Sequence, residues 1–521
     1  MGETVSDYDA IVVGAGHNGL VCAAYLARGG LRTLLLEARA SVGGTAASES
    51  FAGATVNICN CDHITFRTTP IAEELDLAAH GLRYLDVEPA QINMAWSGGP
   101  AWAQFHDVEQ TLDALGRTYP QEVDGYRRYL RAAIPAVKLV FEAANEPPTI
   151  GGLVRRVLRA RGRGATTLLR WSRRSAADVM RQYFTTDALQ GPGIVTGPMV
   201  WGISPETARS GLGALTYAVR HVGTVGRPEG GSGRVPESLL FAFLAHGGEL
   251  RTSSKVERIT CEGGRVRGVA LADGTEATAP RVVSACNPHD TFLHWLADPP
   301  PQARHLVRRW RDLPQEEGYE SKIDAIVSRP PMLHAVRVGL GEVLGERALH
   351  PTTVVSPSLA DIHRGAELMK VGEVLDRPGF LVNIPSALDP TMAPRVGGGH
   401  VFSLEALFTP FGLRGGWLGS GEPFRWIEQF ASLVEGDFQS TLGQWRAMTP
   451  DRYEREFHLP AGHATSFAGG PLAALRNKNP ELTEYETAVA GLYITGAATF
   501  PGAGVWGASG RNAATVVLRS T

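Results

Sequence analysis

A glycine-rich turn between an apolar strand and a helix, close to the N-terminus, constrains this chain more than any other feature. Tyr8 to Val13 reads as a short strand that runs directly into Gly14-Ala15-Gly16-His17-Asn18-Gly19. The helix expected over Asn18 to Arg28 turns Leu20, Ala23, Ala24 and Ala27 toward a sheet, and Gly29-Gly30 stops it. A second strand, Arg32 to Leu36, ends at Glu37. In this order each glycine has a task. Gly14 permits the tight turn, Gly16 lets a pyrophosphate approach the backbone, and Gly19 lets helix and strand pack closely. The helix N-terminus presents N–H groups and a partial positive charge to that pyrophosphate. At the end of the second strand the Glu37 carboxylate can accept hydrogen bonds from both hydroxyls of an adenosine ribose. It also disfavours a 2′-phosphate, so NADP is not expected here.

These pieces make a Rossmann-type βαβ unit, which by itself specifies only a dinucleotide. The residues after Glu37 narrow the choice. Ala38-Arg39 and Val42-Gly43-Gly44-Thr45 complete an E-x-x-x-x-x-G-G stretch. Here the chain resembles the FAD superfamily that includes amine oxidases and phytoene desaturases, in which the paired glycines let the loop pass the pyrophosphate and flavin end of the cofactor. The resemblance implies FAD, with Gly14, Ala15, Gly16, His17, Asn18, Gly19, Glu37, Ala38, Arg39, Gly43, Gly44 and Thr45 around it.

Two later regions extend the likeness. From Gly230 a glycine-rich turn leads into an apolar helix, Val235 to Ala245, and then a strand expected over Leu250 to Ile259. Glu262-Gly263-Gly264 and Asp273-Gly274 are hairpin signals around an alternating Val266 to Leu271, and Ala279 to Ala285 reads as a returning strand. By the same resemblance the backbone of Val256 contacts the adenine; as sequence alone it is equally an ordinary core valine. Near the C-terminus, Leu492 to Gly496 reads as a strand ending at a glycine, and Gly510 to Leu518 as a small-residue helix with its N-terminus aimed inward. A positive helix end near the flavin would stabilise its anionic reduced form. The run from Gly496-Ala497 through Pro501, Gly502, Gly504-Val505 and Gly507 to Asn512-Ala513-Ala514 closely resembles the phytoene-desaturase-like branch. Within it the likeness is nearest to the pyridine nucleotide-disulfide oxidoreductase domain-containing protein two group. It implies cofactor contacts at Gly496, Ala497, Gly504 and Val505. Two departures bear on the substrate. That group usually has HPGGGV where this chain has Phe500 to Val505, and often YRTP where this chain has Tyr485-Glu486-Thr487-Ala488.

The expected architecture is therefore α/β: a discontinuous, glutathione-reductase/amine-oxidase-like FAD domain from residues 1–75, 230–300 and 481–521. A mixed α+β substrate domain would come from 76–229 and 301–480, with a helical, Arg-rich insertion at about 152–174 and strands at Ala325 to Val327, Phe380 to Ile384 and His400 to Phe408. A length of 521 residues suits two or three domains, and 43% hydrophobic against 20% charged residues excludes a disordered chain. A net charge of −3 gives no reason to expect nucleic acid. Five scattered cysteines form no CxxC or CxxxxC pair, so neither a zinc site, nor any other metal site, nor a redox disulfide is expected. With no signal-like N-terminus and no long apolar run, the expectation is a soluble, cytoplasmic protein.

Gly152 to Arg174 contains eight arginines and no acid, interleaved with Leu153, Val154, Val157, Leu158, Leu168, Leu169 and Trp171. Such a segment can lie on an anionic membrane, giving peripheral contact, but a solvated arginine-rich connector broken by Gly162 and Gly164 is the preferred reading.

The resemblance implies a two-electron oxidation or isomerisation at carbon of a small, apolar, polyene or lipid-like substrate, with hydride passing to or from the flavin. Asp62 and His63 are the catalytic candidates for proton transfer, with His221 and Arg67 behind them; for each, a structural polar role is the stronger expectation. Cys59 and Cys61 alternate as on one strand face, and core packing is preferred for them over a redox or covalent-flavin role. No second strand-linked GxGxxG is present, so oxygen, a quinone or the substrate itself is the expected reoxidant. A flavin amine or amino-acid oxidase, and a regulatory flavoprotein with weak turnover, are the alternatives.

Overall fold

The computed structural model describes residues 7–59, 62–196, 203–296, 298–463 and 479–520. Its two main sheets divide the chain. The first is a five-stranded parallel sheet in the spatial order Leu492–Ile494, Val282–Ser284, Ala10–Val13, Thr33–Leu36, Glu249–Arg251. Pairs Ile11↔Val282, Ile11↔Leu34, Val282↔Leu492 and Leu34↔Glu249 set the register. Strands from both ends of the chain and from its middle thus lie side by side.

Alternation along these strands builds two layers. Ala10, Val12, Leu35 and Val283 pack against the helix His17–Arg28, the helix Arg234–Ala245 and the C-terminal helix Ala508–Arg519. Ile11, Val13, Leu34, Leu36 and Val282 face the other way, onto the three-stranded meander Val256–Glu262, Arg265–Leu271, Glu276–Thr278 and the buried Phe292 and Trp310. The first and last helices touch closely, because a side chain at Gly510 would lie 2.1 Å from the Asn18 carbonyl oxygen.

The second sheet has seven strands in the order Leu442–Met448, Glu320–Val327, His400–Leu407, Phe380–Asn383, Thr353–Ser356, Gln91–Ala95, Trp102–Gln104. The expected strands at 325–327, 380–384 and 400–408 all belong to it. One face carries Ile323, Ala325, Val327, Phe402, Leu404 and Ala406 onto the helices His334–Leu344 and Glu422–Ala431. The other face is polar where it meets the hairpin Ser48–Phe51/Ala54–Asn57, and apolar where Val354, Leu407 and Trp102 meet the helix Val123–Ala144.

The expected single strand over 250–259 is in fact two strands in two sheets. Ser253 adopts a left-handed conformation (φ 52°), and its amide and that of Ser254 donate to the carbonyls of Arg39 (2.9 Å) and Glu37 (2.8 Å). The chain bends there because the loop after Glu37 supplies these acceptors, which no local pattern reveals. The C-terminal helix begins at Ala508, two residues earlier than its glycine suggested. The arginine-rich insertion, expected as helical over about 152–174, forms two helices, Ile150–Arg159 and Ala165–Trp171, joined through Gly162 and Gly164. Cys61 lies outside the described residues.

Candidate functional site

The parallel strands end in one crevice. Gly14 donates to Leu36 O (2.8 Å), holding the glycine turn at the carboxyl edge of the sheet. Gly43 donates to Ala15 O (2.8 Å), and a side chain at Gly44 would meet only the Cα of Gly16, at 3.4 Å. The glycine turn and the paired-glycine loop therefore lie directly against each other, with Thr45 on the one-turn helix Gly44–Ala46. Glu37 sits below them. Its Oε2 accepts from Ala15 N (2.8 Å) and its Oε1 from Arg39 N (2.9 Å). Arg39 in turn pairs with Glu49 (3.1 Å) and lies 4.0 Å over the Phe457 ring. Ala38 lies half-buried between Glu37 and Arg39.

From the other end of the chain, Gly496 donates to Ser509 Oγ (3.1 Å) and leads into half-buried Ala497, while Val505 O accepts from Thr65 Oγ1 (2.8 Å). Desolvation pushes the His17 imidazole down to about 4, with the Gly504 backbone acting the other way. Val256 is buried in the meander, paired with Leu271, two residues beyond the Ser254 amide that holds Glu37 O.

A dinucleotide fits this crevice on three observations. A side chain at Gly16 would meet nothing within 4 Å, and neither would one at Gly504. The helix His17–Arg28 has no side-chain cap and no acid in its first turn. Finally, His17 Nε2, Asn18 Oδ1 and Arg39 Nη1 are buried without a hydrogen-bond partner. Gly19 differs from Gly16, since a side chain there would collide with Gly14 O at 1.9 Å.

Asp62 and His63 lie on the loop that leaves the Ala54–Asn57 strand. Asp62 Oδ1 accepts from Arg227 Nε at 2.7 Å, and its Oδ2 accepts from Thr352. The buried Arg227 also donates to Asn383 Oδ1 (2.9 Å). His63 is buried with both ring nitrogens engaged, by Tyr84 Oη (3.0 Å) and Ser232 Oγ (3.2 Å). Burial, with the neighbouring His17, pushes its imidazole down to about 3. Of the weaker candidates, His221 bonds Tyr126 Oη (2.9 Å) and His106 O (2.9 Å), and Arg67 pairs with Asp86 (2.7 Å). Cys59 donates to Glu320 Oε1 at 3.5 Å.

The polar face of the seven-stranded sheet escaped sequence reasoning. Lys322, 1% exposed, donates to Asp324 Oδ1 (2.5 Å) and to Asn57 O. Its cross-strand neighbour is Glu405, pushed up to about 8 by burial and by Glu320. The alternation Glu320, Lys322, Asp324 within an apolar strand was the available signal. The Tyr485 hydroxyl donates to Phe500 O (2.6 Å) and accepts from Asn512 (3.1 Å), joining the two stretches that depart from the family pattern.

Fold and site define an FAD-dependent oxidoreductase: a dinucleotide crevice built from both chain ends, beside a mixed seven-stranded sheet. The chain belongs to the family of flavin containing amine oxidoreductases, whose model matches residues 19–315. It is 29% identical to pyridine nucleotide-disulfide oxidoreductase domain-containing protein 2 of Rattus norvegicus, over 98% of this chain and 94% of that one. It is 24% identical to the lycopene-forming phytoene desaturase of a Paracoccus species, over 97% and 96%. Among solved structures, cyclohexylamine oxidase from Brevibacterium oxydans shares the fold, with a TM-score of 0.59 at 15% identity over 99% of each chain.

Proposed function

We propose that this enzyme dehydrogenates or isomerises a largely apolar, polyene- or lipid-like substrate at carbon. The observation that carries the reading is likeness along nearly the whole chain to proteins named for such reactions. Besides the phytoene desaturase these include a component of the limonene dehydrogenase of Castellaniella defragrans, 26% identical over 99% of this chain. The prolycopene isomerase 1 of an Oncidium hybrid is 24% identical over 96%. Bound FAD supplies the hydride acceptor.

The protein's own part is binding and placement. In this reading Gly14 to Gly19 and Gly43 to Thr45 hold the pyrophosphate, Glu37 the ribose, with Ala38 and Arg39 beside it, and the Val256 backbone the adenine. Gly496, Ala497, Gly504 and Val505 close over the flavin end. Asp62 and His63 serve by position: Asp62 orients Arg227 and Thr352, and His63 ties Ser232 of the glycine turn to Tyr84. Anaerobic mixing of the purified yellow protein with candidate polyenes and lipids tests the reading. Substrate-driven bleaching of the flavin supports it; bleaching only by amines, with peroxide release in air, replaces it with the oxidase reading that the family match also favours.

The helix Ile150–Arg159 extends the proposal to where the substrate is met. Ile150 (81% exposed), Val154 (52%) and Leu158 (71%) are spaced four apart on one face, with exposed Arg155 and Arg159 beside them. We place this face on an anionic bilayer. Co-sedimentation with anionic but not zwitterionic vesicles, lost in Ile150→Ser/Leu158→Ser, is the expected result. No helix among the described residues is long and apolar enough to cross a membrane.

A further inference from the structure

Asp62 and His63 are both held by protein partners, so the proton that a reaction at carbon must move calls for another group. The polar face of the seven-stranded sheet offers one. On its strand His400–Leu407, Leu404 and Ala406 pack onto the helices behind the sheet, so Ser403 and Glu405 face the cofactor domain. Register sets one row across that face: Met448, Lys322, Glu405, Leu381 and Val354. Beside it runs a second, of Arg446, Asp324, Ser403 and Asn383.

Parts of the cofactor domain reach this face on both sides of Glu405. On one side Lys322 donates to Asn57 O, and Cys59 to Glu320 Oε1 at 3.5 Å. On the other, Asp62 holds Thr352 and Arg227, and Arg227 donates to Asn383 Oδ1 (2.9 Å). Three residues beyond Asp62, Thr65 donates to Val505 O (2.8 Å), in the stretch assigned to the flavin end. Between these bridges the packing opens. Lys322, Ser403, Asn383 and Leu407 are at most 4% exposed, whereas Glu405, Glu320 and Leu381 are only half-buried. Glu405 lies deep in the protein, on a strand paired along both edges, so the open space beside it is internal. No hydrogen bond or ion pair among the described residues engages its carboxyl. A deep carboxyl left open in this way is placed to meet a ligand.

We propose that Glu405 faces the substrate and takes up the proton that leaves carbon during dehydrogenation. This deepens the reading of a dehydrogenase acting on an apolar substrate, and rests on it. One C–H bond breaks toward the Glu405 carboxylate, and its electron pair becomes the new C=C bond. The hydrogen on the adjacent carbon leaves with its own pair as hydride, for which bound FAD is the acceptor. The substrate loses two electrons, the flavin gains them, and Glu405 ends as the neutral acid. Lys322, Glu320 and Asp324 face Glu405 from the neighbouring strand, and Asp62, paired with Arg227, from the cofactor domain. Burial and Glu320 outweigh the lysine and hold the carboxyl up at about 8. Proton uptake should therefore quicken as pH rises to about 8.

The test has two arms, both on the FAD-loaded protein. Dicyclohexylcarbodiimide, an apolar reagent for protonated carboxyls, should attach to Glu405, as peptide mass mapping would show. Labelling should fall as pH rises through about 8, and squalene should slow it. In the second arm the parent is mixed anaerobically with polyenes and lipids, and flavin bleaching is timed. Glu405→Gln should slow bleaching about hundredfold or more at unchanged flavin content and lose the rise with pH, while Glu405→Asp should keep part of both. No label on Glu405, or bleaching as fast in Glu405→Gln as in the parent, would overturn the proposal. If Glu405→Gln does not fold, Glu405→Asp and the labelling decide. A parent that no polyene or lipid bleaches fails the underlying reading instead, and the labelling arm alone then judges Glu405.

Discussion

The Glu37 carboxylate and the Ala15 backbone amide, 22 residues apart, meet at 2.8 Å. One oxygen of this acid thus braces the glycine turn, while the other is held by Arg39 N. The acid is part of the loop's architecture before any cofactor arrives.

Replacing Glu37 should therefore cost both order and cofactor. Glu37→Ala removes two charge-assisted hydrogen bonds from backbone amides, one of them buried, together worth about 3 kcal/mol. Purified Glu37→Ala is expected to carry little flavin and to melt earlier even as apoprotein, whereas Glu37→Gln should keep part of both. Flavin absorbance and apoprotein melting report the two losses separately.

Gly16 and Gly19 separate binding from folding. A methyl at Gly16 enters open space, so Gly16→Ala should fold like the parent and lose flavin. At Gly19 the methyl strikes Gly14 O, so Gly19→Ala should lose roughly 1–3 kcal/mol as overpacking. Urea unfolding of the two apoproteins distinguishes them; equal stability would contradict the assignment.

Asp62 and Arg227 form a buried pair with side chains 16% and 4% exposed. Asp62→Ala removes the carboxylate that accepts from Arg227 Nε and should destabilise by about 3 kcal/mol. The double replacement Asp62→Leu/Arg227→Met should recover much of that, as a comparison of urea midpoints would reveal.

The buried His63 gives a pH signature. Its folded value of about 3 lies below the ordinary 6.5, so between these limits the unfolded chain takes up a proton that the folded one refuses. Stability must fall as pH drops through that window, by up to about 1.4 kcal/mol per pH unit from this group. His63→Gln should flatten the slope between about pH 4 and 6. Glu405 acts with opposite sign: raised to about 8, it keeps a proton that the unfolded chain releases, so stability from it declines as pH rises from about 4.5 to 8.

Local patterns made the first βαβ unit readable, because apolar strand, glycine turn, helix and acid are contiguous from Tyr8 to Glu37. The meander was readable for the same reason, its turns marked at Gly263-Gly264 and Asp273-Gly274. The break at Ser253 was not, since its acceptors are the carbonyls of Glu37 and Arg39. Nor did sequence show that Asp62 faces Arg227 or that His63 has both nitrogens taken, since their partners lie up to 290 residues away.

The residues themselves thus determined the glycine turn, the acid at the end of the second strand and the resemblance to FAD enzymes, all of which rest on short-range spacing and the backbone freedom of glycine. Tertiary structure alone decided which charges meet. The Lys322–Asp324 pair opposite Glu405, and the Asp62–Arg227 pair, arise because distant segments bury polar side chains against one another. Whether each side chain finds a partner there depends on packing that no local pattern encodes.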